Sequence, residues 1–229
     1  MKIISLNTWR GGCAEALREF VRTEAKDVDI FLFQEASDEM ERIRSQELAG
    51  WQNMSTSKYE HTTGDDLCQT TCLREDVQLL SSGVFFPHNK DQGLGLWVDI
   101  IRGDERYLIC NIHGAAFPVE KQDTEARILQ SKETLEFLKD KPGKHIIMGD
   151  FNLFPDTQSV KMFEEYGYRD LIKEYSVDTT RNEIAWAKYP DNKHLFADYT
   201  FVGPGVEVTD FQVPKNEISD HLPMILEIA

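Results

Sequence analysis

Short apolar, β-branched runs alternate with amphipathic stretches along this chain, and several of the runs stop abruptly on a polar residue. Met1 to Leu6 carries IISL and ends at Asn7, while Val28 to Phe33, VDIFLF, ends at Gln34-Glu35. Between them Ala14 to Ala25 sets Leu17, Phe20 and Val21 on one helical face, so the opening segment predicts a strand-helix-strand unit. Ser37 to Leu48 is charged and predicts a short exposed helix, and Gly50 to Asp66 a polar loop. Leu67 to Leu73, Val77 to Phe86, Leu94 to Ile101 and Tyr107 to Asn111 are strand-like. Breaks at Glu75-Asp76, Pro87 to Gly93 and Gly103-Asp104 make them largely antiparallel hairpin neighbours. Asp123 to Asp140 predicts a helix turning Ala126, Leu129, Leu135 and Leu138 to a sheet, closed by Pro142-Gly143. A helix over Thr157 to Tyr166, with Val160 and Phe163 inward, is stopped by Gly167; Leu195 to Val202, Val206 to Val213 and Leu222 to Ile228 are the final strands.

The stretch Lys144 to Asn152, KHIIMGDFN, organises the rest. His145 to Met148 reads as a buried strand that Gly149 ends, so Asp150 and Asn152 stand at its C-terminal mouth, where open α/β sheets carry their chemistry. Separated by one residue on extended chain they point the same way, which suits one group ordering a water and the other donating to a phosphate oxygen. An Asx turn is the competing reading. Asn7, Glu35 and His113 each lie just past the end of another apolar strand, a coincidence hard to produce by chance. Asp198 interrupts the apolar run LFADYTFV, where an unpartnered buried carboxylate would cost several kcal/mol, so it needs a donor. Ser219-Asp220-His221 puts a carboxylate and an imidazole at a loop-to-strand junction.

Each of these residues has a plainer use. Asn7 could cap a turn, Glu35 begin the charged helix, His113 sit satisfied in a core, Asp198 pair with Lys193 or His194, and Ser219-Asp220 cap a helix. Trp9 and Trp97 read as core, and His61, His88 and His145 as structural or exposed.

Composition limits what such a site can serve. A chain of 229 residues with 41% hydrophobic content, no internal repeat and no Pro/Gly/Ser-rich linker predicts one domain over 1–229. The N-terminus MKIISLNTW is apolar for too few residues to be a signal peptide, no run approaches the ~20 apolar residues of a membrane span, and no obligate protein partner is evident. Cys13, Cys68, Cys72 and Cys110 fit no usual zinc spacing and read as free thiols, so a cytoplasmic protein is expected. With 25 Lys+Arg against 40 Asp+Glu, a net of -15, the chain has no basic stripe, which disfavours tight sequence-independent tracking of duplex DNA. Divalent ions in a carboxylate cluster can still make such a protein locally positive.

Six stretches carry a further signal: LNTW at Leu6 to Trp9, FQE at Phe33 to Glu35, IHG at Ile112 to Gly114, GDFN at Gly149 to Asn152, DYTFV at Asp198 to Val202 and SDHLP at Ser219 to Pro223. In this order the chain resembles the endonuclease/exonuclease/phosphatase family of metal-dependent hydrolases, which includes DNase I, AP endonucleases, sphingomyelinases and inositol polyphosphate phosphatases. The resemblance implies an α/β fold, the DNase I-like four-layer sandwich of two mixed, mainly antiparallel β-sheets flanked by helices. It further implies that Glu35 is the principal ligand of Mg²⁺ or Mn²⁺, with Asn7 and Asp220 completing or supporting the metal environment. Asp150 would orient and deprotonate the attacking water, Asn152 and His113 donate to phosphate oxygens, and His221, held by Asp198, stabilise charge at phosphorus. Arg181 is a candidate substrate contact, and Asp66 a candidate support for His113.

The implied activity is divalent-metal-dependent hydrolysis of phosphate ester bonds, with a small molecule or a nucleic acid as substrate. A DNA endo- or exonuclease is the alternative, and a catalytically silent binding module a third reading. His113 stands where AP endonucleases typically carry Tyr, and HLFADYTF contains nothing like the inositol phosphatases' PxWCDR.

Overall fold

The computed structural model describes residues 1–56, 59–60, 66–86, 93–187, 190 and 193–229; for residues 59, 60 and 66 it describes the backbone alone. The opening unit is β1 (Lys2–Asn7), α1 (Ala14–Glu24) and β2 (Ile30–Ala36), with the two strands parallel and Ile3 beside Ile30. Leu17 and Val21 of α1 are buried. Then follow α2 (Asp38–Glu47), β3 (Gln52–Ser55), β4 (Tyr59–Glu60) and β5 (Asp66–Leu73). The Ser37 hydroxyl accepts Glu39 N–H at 3.2 Å and caps α2. A meander of β6 (Gln78–Phe85), β7 (Gly93–Arg102) and β8 (Glu105–Gly114) leads to α3 (Glu125–Lys139), β9 (Lys144–Asp150) and α4 (Gln158–Glu165). The chain closes with β10 (Arg169–Asp170), α5 (Leu171–Glu174), α6 (Glu183–Ala187), β11 (Asp198–Val202), β12 (Val208–Gln212) and β13 (Met224–Ile228).

Two mixed sheets result. One runs β12-β13-β1-β2-β5-β3, with β4 attached to β5; the other runs β10-β11-β9-β8-β7-β6. Among the described strands only the pairs β1/β2 and β8/β9 are parallel, and helices cover the outer faces, which gives the four layers the resemblance implies. The expectation of hairpin neighbours holds for β6, β7 and β8 but fails for β5, which pairs with β2 and β3 in the other sheet. Leu73 and Val77 are both buried, and the polar turn between them carries the chain across the sandwich. Gln52–Ser55, expected to be loop, pairs with β5 because alternate exposure of its side chains suits an edge strand.

Strand alternation makes the space between the sheets graded. Ile3, Ile30, Ile109, Ile146 and Val202 fill one end; two residues on, the inward positions are Ser5, Leu32, Asn111, Met148 and Thr200. At the far end they are Asn7, Gln34, His113, Asp150 and Asp198. Hydrophobic burial holds the sandwich at one end, and hydrogen bonds between the sheets hold it at the other. Gln34 Nε2 donates to Asn111 Oδ1 at 2.8 Å, and Asn111 Nδ2 to Phe33 O at 3.2 Å. In α3 the expected apolar face is only half right: Leu135 and Leu138 are buried, Leu129 is 44% exposed, and the helix buries Arg127, Gln130, Ser131 and Thr134 as well.

Candidate active site

Asp150 is the centre of the polar end. It ends β9, where Gly149 adopts φ +146° and a Cβ would stand 2.0 Å from Ile112 O of the paired strand. Gly114 is required for a similar reason, since a Cβ there would lie 2.3 Å from Phe151 O. These two close approaches account for the glycines of GDFN and IHG. Asp150 Oδ2 accepts Asn7 Nδ2 at 2.9 Å, and Oδ1 accepts Asn152 N–H at 2.9 Å, so one carboxylate ties the two sheets together and fixes the turn after β9.

Glu35 reaches the same place through a backbone irregularity. Simple alternation after Gln34 would turn it outward, but the β2/β5 register shifts between Phe33 and Ala36, and Glu35 adopts φ +51°. Its Oε1 then accepts Asn7 Nδ2 at 3.2 Å and lies 3.8 Å from His113 Nε2. Trp9 (φ +46°), Arg10 (φ +57°), Lys121 (φ +55°) and Asn152 (φ +55°) share this left-handed conformation, which costs a non-glycine residue about 1–2 kcal/mol. Strain of this kind concentrates where geometry serves a site.

The imidazole of His221 is held from both sides. Nδ1 sits 2.9 Å from each oxygen of Asp198, and Nε2 faces Asp150 Oδ2 at 3.6 Å and Asp220 Oδ1 at 3.8 Å. Asp198 therefore finds its donor in His221 rather than in Lys193 or His194. Ser219 Oγ donates to Asn7 O at 2.7 Å and docks this loop onto β1. Arg181 binds Asp220 Oδ2 through Nη2 at 2.8 Å and Asp220 O through Nε at 3.2 Å. The buried Thr180 hydroxyl accepts the Ala197 and Asp198 N–H groups at 3.1 and 3.2 Å.

Burial opposes ionisation of Asp150, yet the charges of His221, Lys121, His113 and Arg181 outweigh it and hold the carboxyl well below the usual range. For His221, burial and Arg181 push the proton off while Asp198, Asp150 and Asp220 retain it, and retention wins. Burial raises Asp198, with His221 acting against it. Asp150 and Asp198 therefore favour the protonated form of the imidazole between them.

Trp9, Arg10, Glu35, Asp150, Asn152, Arg181, Asp220 and His221 line an open cleft of about 240 Å³. Trp9, read from the sequence as core, thus belongs to the cleft wall; Trp97 packs on Phe137 as core does. Asn7 turns its amide nitrogen to both carboxylates because its oxygen is occupied by Trp9 N–H at 3.0 Å. His145 bridges Tyr168 Oη at 2.9 Å and Lys141 O at 3.0 Å, a structural place away from the cleft. The side chain of Asp66, and His61 and His88, lie outside the described residues.

Two arrangements here could hold a cation. Ligand atoms of Asp150, Asp198 and His221 lie within 4.8 Å of one another, close enough for a metal. An ion there would have to displace the His221–Asp198 hydrogen bonds inside a buried cluster. Glu35, Asp150 and Asp220 instead present carboxylate oxygens to the cleft, the donor set of a hard ion that keeps some of its water. His113 Nε2 is buried with no hydrogen-bond partner among the described residues, beside Glu35 and Asp150 at 3.8 and 3.9 Å. A buried polar atom left without a partner beside two carboxylates is a place for a ligand atom.

Sequence reasoning missed Lys121 and Arg127. Lys121 comes from the loop after β8, where no apolar period or spacing marks it, and Arg127 from the first turn of α3, where the apolar positions assigned to that helix pass it by. Arg127 is fully buried and donates to Ala115 O (3.2 and 3.1 Å), Pro118 O (2.6 Å) and Gln122 O (2.6 Å), which shapes the loop bearing Lys121.

A model of the Endonuclease/Exonuclease/phosphatase family matches residues 4–221. No curated protein matches the sequence at a significant level. Solved structures share the fold over the whole chain. An endonuclease/exonuclease/phosphatase from Bacteroides vulgatus is 17% identical with a TM-score of 0.80, covering 100% of this chain and 98% of that one. A mannosyl-6-phosphatase of Bacteroides thetaiotaomicron is 19% identical (TM-score 0.74; 100% and 99% covered). D. rerio TDP2 complexed with single-strand DNA product is 17% identical (TM-score 0.75; 100% and 98% covered). With the family's model spanning nearly all of its length on this phosphoesterase fold, the chain belongs to the Endonuclease/Exonuclease/phosphatase family.

Proposed function

We propose that this chain hydrolyses phosphate ester bonds with a divalent metal, Mg²⁺ or Mn²⁺, by in-line attack of water on phosphorus. The observation that carries the reading is the convergence on Asp150 of Asn7 at 2.9 Å, His221 at 3.6 Å and His113 at 3.9 Å, beside a cleft lined by Glu35, Asn152 and Asp220. Glu35 and Asp220 would hold the ion, with Asn7 orienting Glu35 and Asp150 as a donor. A metal so held supplies Lewis acidity at the phosphoryl oxygens. Asp150 holds the attacking water; the charges that keep it ionised make it a weak base, so it accepts the proton only as the new P–O bond forms and the water becomes acidic. Asn152 Nδ2 and His113 Nε2 donate to the non-bridging oxygens, and the His221 cation faces the charge developing as the ester P–O bond breaks. Arg181 fixes Asp220 and borders the substrate.

The compact cleft and the net charge of -15 favour a small phosphate ester over duplex DNA. One similar structure is of a mannosyl-6-phosphatase, which fits that reading; TDP2, with its single-strand DNA product, keeps nucleic acid as the second. No helix among the described residues is long and apolar enough to cross a membrane. Free thiols at Cys13, Cys68, Cys72 and Cys110 suit a reducing cytoplasm.

The test is a screen of phosphomonoesters, phosphodiesters and oligonucleotides in Mn²⁺ and Mg²⁺, with EDTA and Glu35→Gln as controls. Turnover abolished by EDTA and lowered at least about 10²-fold by the variant is expected. Absence of turnover on every substrate, or turnover indifferent to EDTA, would overturn the proposal and favour a binding module of this fold.

A further inference from the structure

A carboxamide's two ends are nearly the same shape, so the covalent structure of Asn152 does not decide which end faces the cleft. The surroundings do. On one side stands Lys121, buried to 7% exposure, whose ammonium donates to Asn152 Oδ1; on the other, Gly114 O accepts from Nδ2 at 3.3 Å. An ammonium has three donors and no acceptor, so a reversed carboxamide would set N–H against N–H at one end and oxygen against oxygen at the other.

The loop is built to deliver that ammonium. Arg127 grips the carbonyls of Ala115, Pro118 and Gln122, Lys121 itself takes φ +55°, and Lys121 O accepts Phe154 N–H at 2.9 Å, just past Asn152. Asp123 then accepts the Gln158 and Ser159 N–H groups at 2.6 and 3.0 Å and anchors the loop to the start of α4. Lys121 is thus joined to the Asn152 turn by its side chain and by its backbone.

We propose that Lys121 is a positioning residue, which locks the Asn152 carboxamide with its N–H edge toward the cleft so that it meets the phosphoryl oxygen as a donor. The proposal rests on the hydrolase reading, in which Asn152 touches substrate. Without Lys121 only the 3.3 Å hydrogen bond to Gly114 O fixes the carboxamide, and in part of the molecules its oxygen faces the anionic phosphate.

A double-variant cycle tests this: wild type, Lys121→Met, Asn152→Ala and the two combined are assayed on p-nitrophenyl phosphate and bis-p-nitrophenyl phosphate in Mn²⁺. Lys121→Met keeps the side-chain volume and removes the ammonium, while Asp150 retains His221, His113 and Arg181 as charge partners. It lowers kcat/KM by about 10- to 100-fold, Asn152→Ala by about 10²-fold, and the double variant falls no further than Asn152→Ala alone. Methylamine restores turnover to Lys121→Ala only while Asn152 is present. A Lys121→Met rate within about 2-fold of wild type, or losses that multiply in the double variant, would overturn the proposal. Amide NMR supplies a readout that needs no turnover. The Asn152 side-chain NH₂ pair, identified by its loss in Asn152→Ala, is a single sharp set in wild type and doubles or broadens in Lys121→Met. An unchanged pair refutes the lock, whereas a wild type silent toward both esters with the NMR effect intact refutes the hydrolase reading alone.

Discussion

Replacing Asp198 with Asn should separate the electrostatic part of the site from its shape. Asp198 is 2% exposed and its oxygens lie 2.9 Å from His221 Nδ1, so the amide fits the same space and can still accept one hydrogen bond. What disappears is the charge. Two unit charges about 3 Å apart attract by about 5 kcal/mol at an effective dielectric near 20. Part of this is offset because the neutral amide costs less to desolvate than a carboxylate and its oxygen still binds the imidazole, which leaves a net loss of about 2–4 kcal/mol of imidazolium stabilisation. At 1.36 kcal/mol per tenfold the rate should fall about 30- to 10³-fold if the cation faces the transition state. The pH profile gives the sign. Asp198, Asp150 and Asp220 together hold the folded His221 pKa above 6.5 against burial, so the cationic form, and activity, are present at lower pH and are lost as pH rises through the folded value. In Asp198→Asn that alkaline limb moves to lower pH. The assay is kcat/KM for a p-nitrophenyl ester from pH 5 to 10, with thermal unfolding as a control on the fold. A variant within about 3-fold of wild type, or an alkaline limb that stays in place, would refute the role given to the pair.

Three further substitutions probe the scaffold. Asp170 caps α5 by accepting Ile172 N–H at 2.9 Å, but burial pushes its carboxyl up to about 6. A raised carboxyl supports folding below its ordinary 3.8 and loses that support as pH rises through about 6. Asp170→Asn, which keeps a cap acceptor, should gain about 1–2 kcal/mol at pH 7.5 and nothing at pH 4 in urea titrations, and a loss at neutral pH would contradict this. Gly149→Ala would drive a Cβ to 2.0 Å from Ile112 O, in a ladder that cannot yield. It should cost more than about 3 kcal/mol or prevent folding, and a change under about 1 kcal/mol in the same titration would show the strand pair to be looser than described. Arg127→Met strands the carbonyls of Ala115, Pro118 and Gln122; a destabilisation of about 3 kcal/mol with lowered activity is expected, and an unaltered protein would show the loop holds without it.

Strand ends were legible in the sequence because burial on both faces writes continuous apolar runs, and the chemistry sits where those runs stop. Asn7, His113 and Asp150 fall at inward positions that period-two alternation assigns directly. Glu35 is legible as a strand end, but its direction depends on a bulge that no pattern announces. Lys121 and Arg127 were invisible for a different reason: their partners are backbone carbonyls and a carboxamide brought close by tertiary structure, so neither has a local signature. The half-apolar face of α3 follows from the same cause, since its N-terminal turns pack on a polar loop instead of the sheet. Strand assignment to sheets was also out of reach for β5, whose sequence fits a hairpin with β6 as well as the pairing it makes with β2.

The central claim is that Glu35, Asp220, Asn152 and His113 surround one metal-bound phosphoryl group. It is tested most directly by crystals grown with Mn²⁺ and inorganic phosphate, with data collected at the manganese edge. The anomalous peak should stand on the cleft side of Asp150, bonded to Glu35, with a phosphate oxygen at Asn152 Nδ2 and His113 Nε2. A peak bound instead among Asp150, Asp198 and His221, or phosphate that settles away from Asn152, would contradict it.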